Sequence, residues 1–589
     1  MPIAVAPPAF DRDVMLERLR RETFDVLVVG GGITGVGVAL DAAARGLRVA
    51  LVERDDLASG TSSRSSKLVH GGLRYLQNGD VRLVHDALRE RQRLLRNAPH
   101  LVEVLPFLIP VLTHDGVISR RLAKALGSAM WMYDLAGGWR IGRRHRKLDA
   151  DQTRAHVPTL PHDRVAGGYL YFDATADDAR LTLAVARTAA AHGAAIATRC
   201  RVVGLTPTTG DGPVDSPADS PVDGAVVDTG DGEIRVRSKV VVSATGVWAD
   251  ELDRLDRPGR PPSIRPAKGV HVTVPWELVR NDVAVVVPVP GDKRSLFVVP
   301  SGPRGDGTHR HAYIGTTDTD HEGTLDEPQC DADDLEYVLG ALNQAIDLGG
   351  QRPIGTDDVT GVWAGLRPLV ASGATGRTAD LSRTHRISVS DRGVVTIAGG
   401  KLTTYRAMAE DTVDTVEEMV RHQGDRHRPW YQPWHRWHPW RRLRRSPTRR
   451  LRLVGATRDL GDASTRAGHL RRRYGTEADD VLNLIDHDPS LGASLVPGLP
   501  HLRAEAIHAV RHEMATTLDD VLVRRTRCHL FDRDATEVAA PEVAALLGRE
   551  LGWTNDELER QVASYRALCE RERHAAREHR PVSATGATA

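Results

Sequence analysis

Cysteine is scarce. Cys200, Cys330, Cys528 and Cys569 are the only four in 589 residues, and no two form a Cys-x-x-Cys pair. That spacing argues against a disulfide framework and against a cysteine zinc site, and it fits a reducing compartment. Long apolar runs are missing too: none approaches the roughly 20 residues that span a bilayer. The first eleven residues lack the basic-then-apolar pattern of a secretory leader. Any membrane contact is therefore expected at the surface. Charge of one sign is not in excess, since 79 basic and 78 acidic residues leave a formal +1. No global field points to nucleic acid, and none is expected as a partner. Aromatic residues make up only 4%, although ten of them are Trp. What is present is ordinary for a folded chain: 41% hydrophobic and 27% charged. At this length two or three domains are expected.

Residues 24–30 (FDVLVVG) form an apolar run that reads as a buried parallel strand. Residues 34–45 read as a helix and 47–53 as a second strand, which completes one βαβ unit. Gly30, Gly32 and Gly35 stand as G-x-G-x-x-G directly after the first strand. The helix that follows presents free N–H groups and its positive dipole end to a pyrophosphate. Glu53 ends the second strand, where a carboxylate accepts hydrogen bonds from ribose hydroxyls. Alone the glycine pattern is weak; strand, helix and acid in sequence make it strong. The 240–246 run VVVSATG reads as a strand ending in Ala-Thr-Gly, with Gly246 returning to the dinucleotide as in flavoproteins resembling glutathione reductase or D-amino-acid oxidase. This favours FAD over NAD.

Further along, residues 12–23, 80–97 and 178–192 read as helices. Residues 206–224 are rich in Pro, Gly, Asp and Ser and read as a surface loop within a hairpin. Residues 226–300 carry many β-branched residues, as an antiparallel sheet would. A glycine pair, Gly399–Gly400, opens a turn and then a helix to about 421. Residues 426–450 read as a basic linker, and 451–575 as a separate all-α domain.

Several segments together resemble the FAD-dependent, aerobic-type glycerol-3-phosphate dehydrogenases. These are GTSSRSSKLVHGGLRYL (60–76), KGVH (268–271), IGTTD (314–318), GVWAGLRPL (361–369), GGKLTTYR (399–406) and DVLVRRTR (520–527). They occur in family order over residues 20–570. Val270 departs from the family pattern, where a small hydroxyl residue is expected. The resemblance implies an α/β fold: an FAD-binding βαβ domain of the D-amino-acid-oxidase/glutathione-reductase-like type, an antiparallel-sheet cap domain and an all-α C-terminal domain. The expected segments are 20–100, 166–255 and 370–421 for FAD, and 101–165 and 256–369 for the cap.

The implied substrate, sn-glycerol 3-phosphate, is a phosphate dianion carrying a secondary alcohol. Arginine suits the phosphate because its planar donors bind two oxygens at once. By resemblance, Arg74 and Arg367 face it, with Lys268 and Lys401 as further cations. Lys401 is expected beside flavin and substrate, acting either as a base of lowered pKa or as a fixed positive charge. Loss of a hydride from C2 requires loss of the hydroxyl proton. His271 is the expected acceptor, with Arg367 adjusting the alcohol, and His70 is expected against the flavin. Thr61, Ser62, Ser63 and Lys67 are expected near the FAD phosphates or ring, with Gly71 and Gly72 allowing close backbone approach. Gly400, Leu402 and Thr403 are expected to seat the flavin. No metal-ligand cluster is apparent.

Residues 428–450 (RPWYQPWHRWHPWRRLRRSPTRR) hold four of the ten Trp and no acid. Tryptophan prefers the bilayer interface and arginine the anionic headgroups. Quinones reside in the bilayer, so a peripheral, cytoplasmic protein on the inner face of the cell membrane is expected, with quinone as acceptor. The C-terminal domain is expected to support membrane docking or a homodimer. Three alternatives remain: an oxidase that delivers electrons to oxygen, a relative acting on another hydroxy acid or amine, and a non-catalytic binding protein on the same fold.

Overall fold

A strand buried on both faces has no reason to alternate polar with apolar residues. The strand Thr23–Val29 follows that rule and is buried from Phe24 onward. It pairs in parallel with Val49–Val52 on one side and Glu233–Ser243 on the other. The computed structural model describes residues 10–72, 81–113, 123–135, 137, 141–208, 220–289, 292, 294–370, 384–422 and 446–580. Arg74 and nearly all of the 428–450 segment lie outside these residues.

The first sheet runs Arg386–Val389, Val395–Ala398, Glu233–Ser243, Thr23–Val29, Val49–Val52, Ala195–Ala197, with the hairpin Arg201–Pro207/Val222–Asp228 joined to Glu233–Ser243. The helices Ile33–Ala44, Asp178–Ala191 and Tyr405–His422 pack against it. Their buried faces share one core with the strands, in which Val26, Val28, Val36, Leu51 and Val241 are fully enclosed. Each such side chain contributes roughly 1.5–3 kcal/mol by leaving water.

Among the described residues a second sheet has ten strands and forms the cap. It is largely antiparallel and includes Val102–Leu112, Ile264–Pro275, His309–Gly315 and Gly361–Val370. One expected boundary shifts here. The strand Val165–Ala176 pairs with Val102–Leu112 along its length, and Leu68–Val69 pairs with its far end. Residues 166–176 therefore belong to the cap sheet rather than to the dinucleotide domain. Their alternation is hidden in sequence because both faces are covered.

From Arg466 the chain is helical and has its own core, built on Leu470, Val481, Ile507, Val543 and Leu547. It is tied to the first domain by buried ion pairs, among them Arg180–Glu513 at 2.7 Å and Arg525–Asp56 at 2.6 Å. All four cysteines are free and buried.

Candidate active site

The turn after the first strand has room for backbone only. Gly30 adopts φ +111°, and a Cβ on Gly35 would stand 1.9 Å from the Gly30 carbonyl oxygen. The helix Ile33–Ala44 can therefore start hard against the strand end. A cleft of about 650 Å³ opens in front of this start. Gly30, Gly32, Ser62, Glu53, Gly246, Gly400 and Lys401 all line it. The Ser62 hydroxyl accepts a bond from Ile33 N at 2.9 Å, which ties the 61–63 turn to the helix start. Gly246 has φ +61° and nothing within 4 Å of where its Cβ would be.

At one end, Glu53 is buried and accepts from Gly31 N (2.6 Å) and Asp55 N (2.9 Å). Burial raises its pKa to about 7 against those two donors. Beside it Arg54 stacks over Trp248 at 4.5 Å, and Arg201, Val202 and Leu252 close the wall. Sequence reasoning missed this wall, because its residues come from three separate elements and share no motif.

At the other end, Gly399 and Gly400 take φ +77° and +87°, and a Cβ on Gly400 would strike Met408 Sδ at 2.3 Å. They lead Lys401, Leu402 and Thr403 into the start of the Tyr405–His422 helix. Here the cleft continues into a second chamber of about 200 Å³, lined by Lys401, Arg367, His271, His70, Ser66 and Arg64 among others. Thr61 lines both spaces, its hydroxyl donating to Leu366 O at 2.6 Å. His70 is held by its N–H on Thr403 Oγ1 at 3.2 Å. Gly71 packs against Leu88 and Tyr133, where no Cβ fits, and Gly72 takes φ +78°.

The cap supplies the chamber's far wall from two paired strands. Register places His271 opposite Trp363 and Ala267 opposite Arg367. Trp363, Gly365 and Arg367 share one face with Gly269 and His271, and the two glycines leave that face open between the side chains. Arg367 lies across Gly269, where any Cβ would meet its Nη2 at 2.5 Å. Its guanidinium donates to Asp318 (3.0 Å), Thr316 Oγ1 (3.1 Å) and Thr317 O (3.1 Å). His271 stacks on Trp363 at 4.8 Å, and its Nε2 meets Ser66 Oγ at 2.8 Å. Burial, then Lys67 and Arg367, hold its pKa well below the usual imidazole value.

Three expected residues are placed elsewhere. Lys268 is three positions from His271 and so points to the opposite face of its strand. Its ammonium is taken by Asp331 (2.6 Å), Asp334 (2.7 Å) and Gln329 O (3.0 Å), away from the chamber. Lys67 has left-handed backbone, φ +57°, which turns its side chain to Asp178 and Trp363 instead of the dinucleotide cleft. Ser63 is buried and faces a small cavity beside the C-terminal domain. Among the described residues two groups of ligating atoms also come together, Asp333, Glu336 and His579 at the surface, where His579 already pairs with Asp333 at 2.7 Å, and His469, His501 and Glu505 inside the C-terminal domain. Glu505 is already bonded by Arg473 (2.9 Å) and Tyr474 (3.1 Å), and a cation does not belong beside that guanidinium.

Comparison with known proteins decides the family. The "FAD dependent oxidoreductase" family matches residues 25–413, and the "C-terminal domain of alpha-glycerophosphate oxidase" matches 446–558. Glycerol-3-phosphate dehydrogenase 2 of Mycobacterium tuberculosis H37Rv is 38% identical over 587 residues, 97% of this chain and 92% of its own. The chain belongs to the FAD-dependent glycerol-3-phosphate dehydrogenases. The mitochondrial glycerol-3-phosphate dehydrogenase of Rattus norvegicus is 36% identical, with 94% of this chain and 74% of its own covered. The crystal structure of the Bacillus halodurans glycerol-3-phosphate dehydrogenase complexed with FAD superposes with TM-score 0.70 at 29% identity, covering 95% of this chain and 97% of its own.

The cleft of this dehydrogenase fits FAD. Bound there, FAD would have its pyrophosphate at the glycine-walled helix start, its ribose at the Glu53 carboxylate and its ring end at the Gly399–Gly400 pair with Lys401. If Glu53 accepts both ribose hydroxyls it must give up its proton, and FAD binding would then be coupled to proton release. Stripped protein is expected to bind FAD about tenfold tighter at pH 8 than at pH 6. Fluorescence titration checks this, and Glu53→Gln is expected to bind weakly at both pH values.

Proposed function

We propose that this chain oxidises sn-glycerol 3-phosphate to dihydroxyacetone phosphate in the second chamber and passes the electrons to a membrane quinone. The observation that carries the first half is the meeting of Arg367, Lys401 and neutral His271 around one small chamber at the ring end of the FAD cleft. Bound FAD supplies the hydride acceptor. Arg367, held in place by Asp318 and Thr316, sets its positive charge against the phosphate. Lys401, which lines both the cleft and the chamber, would add a second positive charge. His271 takes the hydroxyl proton at Nε2, with the Ser66 hydroxyl fixing the ring plane until substrate arrives. A dianion bound nearby favours the imidazolium and so raises the basicity that burial lowers.

Among the described residues no helix is long and apolar enough to cross a membrane. Support for surface docking comes from the helix Ala123–Leu135. Trp131, Met132 and Leu135 are 53%, 50% and 77% exposed. On its inner side Tyr133 is buried and donates to Asp173 at 2.7 Å, beside Gly71. Exposed Arg143, Arg144, Arg146 and Lys147 follow the helix. An apolar patch bordered by cations suits an anionic bilayer on the inner face of the cell membrane. It also favours quinone over oxygen as acceptor. The substitutions Trp131→Ser, Met132→Ser and Leu135→Ser together are expected to abolish co-sedimentation with phosphatidylglycerol vesicles and to slow reduction of vesicle-held quinone about tenfold or more, a contribution of at least ~1.4 kcal/mol. Anaerobic flavin reduction by substrate stays as in the parent. Unchanged sedimentation contradicts the docking surface, and rapid peroxide formation in air favours oxygen as the acceptor.

A further inference from the structure

The C-terminal domain reaches the chamber through a chain of buried charges. In the DVLVRRTR run, Arg524 and Arg525 bind Asp56 at 2.5 and 2.6 Å, which docks the domain. Arg527 does something else. It is 1% exposed, takes left-handed φ +65°, and binds Asp178 and, at 3.2 Å, Asp177. Asp178 is fully buried, and its second oxygen accepts from Ser65 N (2.9 Å) and Ser65 Oγ (2.7 Å).

Ser65 opens a turn that sends its bonds into the cap wall. Its carbonyl accepts from Trp363 Nε1 at 3.2 Å. The next carbonyl, of Ser66, accepts from Tyr313 OH at 3.1 Å, and Ser66 Oγ meets His271 Nε2 at 2.8 Å. Lys67 closes the turn with its ammonium 4.1 Å above the Trp363 ring and 3.8 Å from Asp178. Trp363 then stacks on His271. Docking alone does not require this path, since Arg180–Glu513, Arg187–Glu477 and Arg199–Asp520 already join the domains.

We propose that Arg527 and Asp178 are positioning residues for the oxidation step: the C-terminal domain fixes the Ser65–Lys67 turn, and the turn fixes the imidazole of His271 and the ring of Trp363. The inference rests on the reading of His271 as proton acceptor. Electrostatics supports it. Burial brings Lys67 down to about 8 against the pull of Asp178, and Lys67 in turn bears on His271. Freeing Asp178 would disturb both groups.

The test is stopped-flow flavin reduction under anaerobic conditions, on full-length FAD-loaded Arg527→Met, Arg527→Lys, His271→Asn and the double variant Arg527→Met/His271→Asn. Arg527→Met is expected to lower the limiting rate about thirtyfold, the scale of a small misplacement at a reacting centre. FAD content is expected to match the parent, and the apparent Kd for substrate to move less than about threefold, ~0.65 kcal/mol. Arg527→Lys keeps the cation and is expected to recover most of the rate. The double variant is expected to be no slower than His271→Asn alone, because the two act on one step. If Arg527→Met does not hold FAD, Ser66→Ala breaks the last link by itself and is expected to cost about tenfold, ~1.4 kcal/mol. Full rate in FAD-loaded Arg527→Met, or in Ser66→Ala where that variant stands in, overturns the inference, as do multiplying losses in the double variant. A parental rate in His271→Asn instead overturns the base assignment beneath it.

Discussion

Replacing Arg367 with methionine is expected to lower kcat/KM for sn-glycerol 3-phosphate about a thousandfold, ~4 kcal/mol, within the range for truncating one partner of a buried charge pair. The size follows from how the side chain is held. Gly269 gives it a floor, and Asp318, Thr316 and Thr317 fix its plane. The guanidinium charge would therefore meet the phosphate already oriented, with little entropy left to lose. Arg367→Lys keeps the charge but not the planar group that Asp318, Thr316 and Thr317 hold, and is expected to recover only part of the loss. Steady-state kinetics with a soluble electron acceptor reads both, and FAD absorbance shows whether the cofactor is retained. An Arg367→Met variant within a few-fold of the parent would remove Arg367 from phosphate binding.

His271→Asn is expected to slow flavin reduction by roughly 10²–10⁴-fold, the usual contribution of a positioned base. Asparagine keeps a polar group near Ser66 but takes no proton. The pH dependence has a definite sign. Burial, Lys67 and Arg367 hold the imidazole below its ordinary range, so the free protein keeps it neutral and able to accept well into acid. The acid limb of kcat/KM due to this group is expected below pH ~6.5. Loss of that limb in His271→Asn, measured by stopped flow from acid to neutral pH, identifies the group. A limb that persists assigns it to another residue or to the substrate phosphate.

The dinucleotide end of the site was legible because its chemistry is local. Strand, glycines and Glu53 lie within one βαβ unit, and Gly30 and Gly35 answer contacts that backbone alone can make. The substrate end was legible only in part, because it is assembled from strands distant in sequence. Lys268 is the clearest case. Its motif mixes the two faces of one strand, so His271 lines the chamber while Lys268 pairs with Asp331 and Asp334 behind it. The period-two pattern of 363, 365 and 367 carried the missed signal for Trp363. Lys67 was misplaced for another reason: a non-glycine residue with positive φ is rare, and nothing in SSRSSK announces it. Ser66 stood unweighed in that hydroxyl run. The path from Arg527 to Ser65 joins residues hundreds of positions apart, and only the fold brings them together.

The central claim is that this one cleft holds FAD and oxidises sn-glycerol 3-phosphate. Its most direct test is the absorbance spectrum of the purified protein under anaerobic conditions, before and after adding that compound. Flavin bands that bleach with the sn-3 isomer, and not with glycerol or inorganic phosphate, are the predicted result. Flavin bands that persist at saturating substrate would contradict the assignment of substrate, and a protein that shows none after FAD is supplied would contradict the claim as a whole.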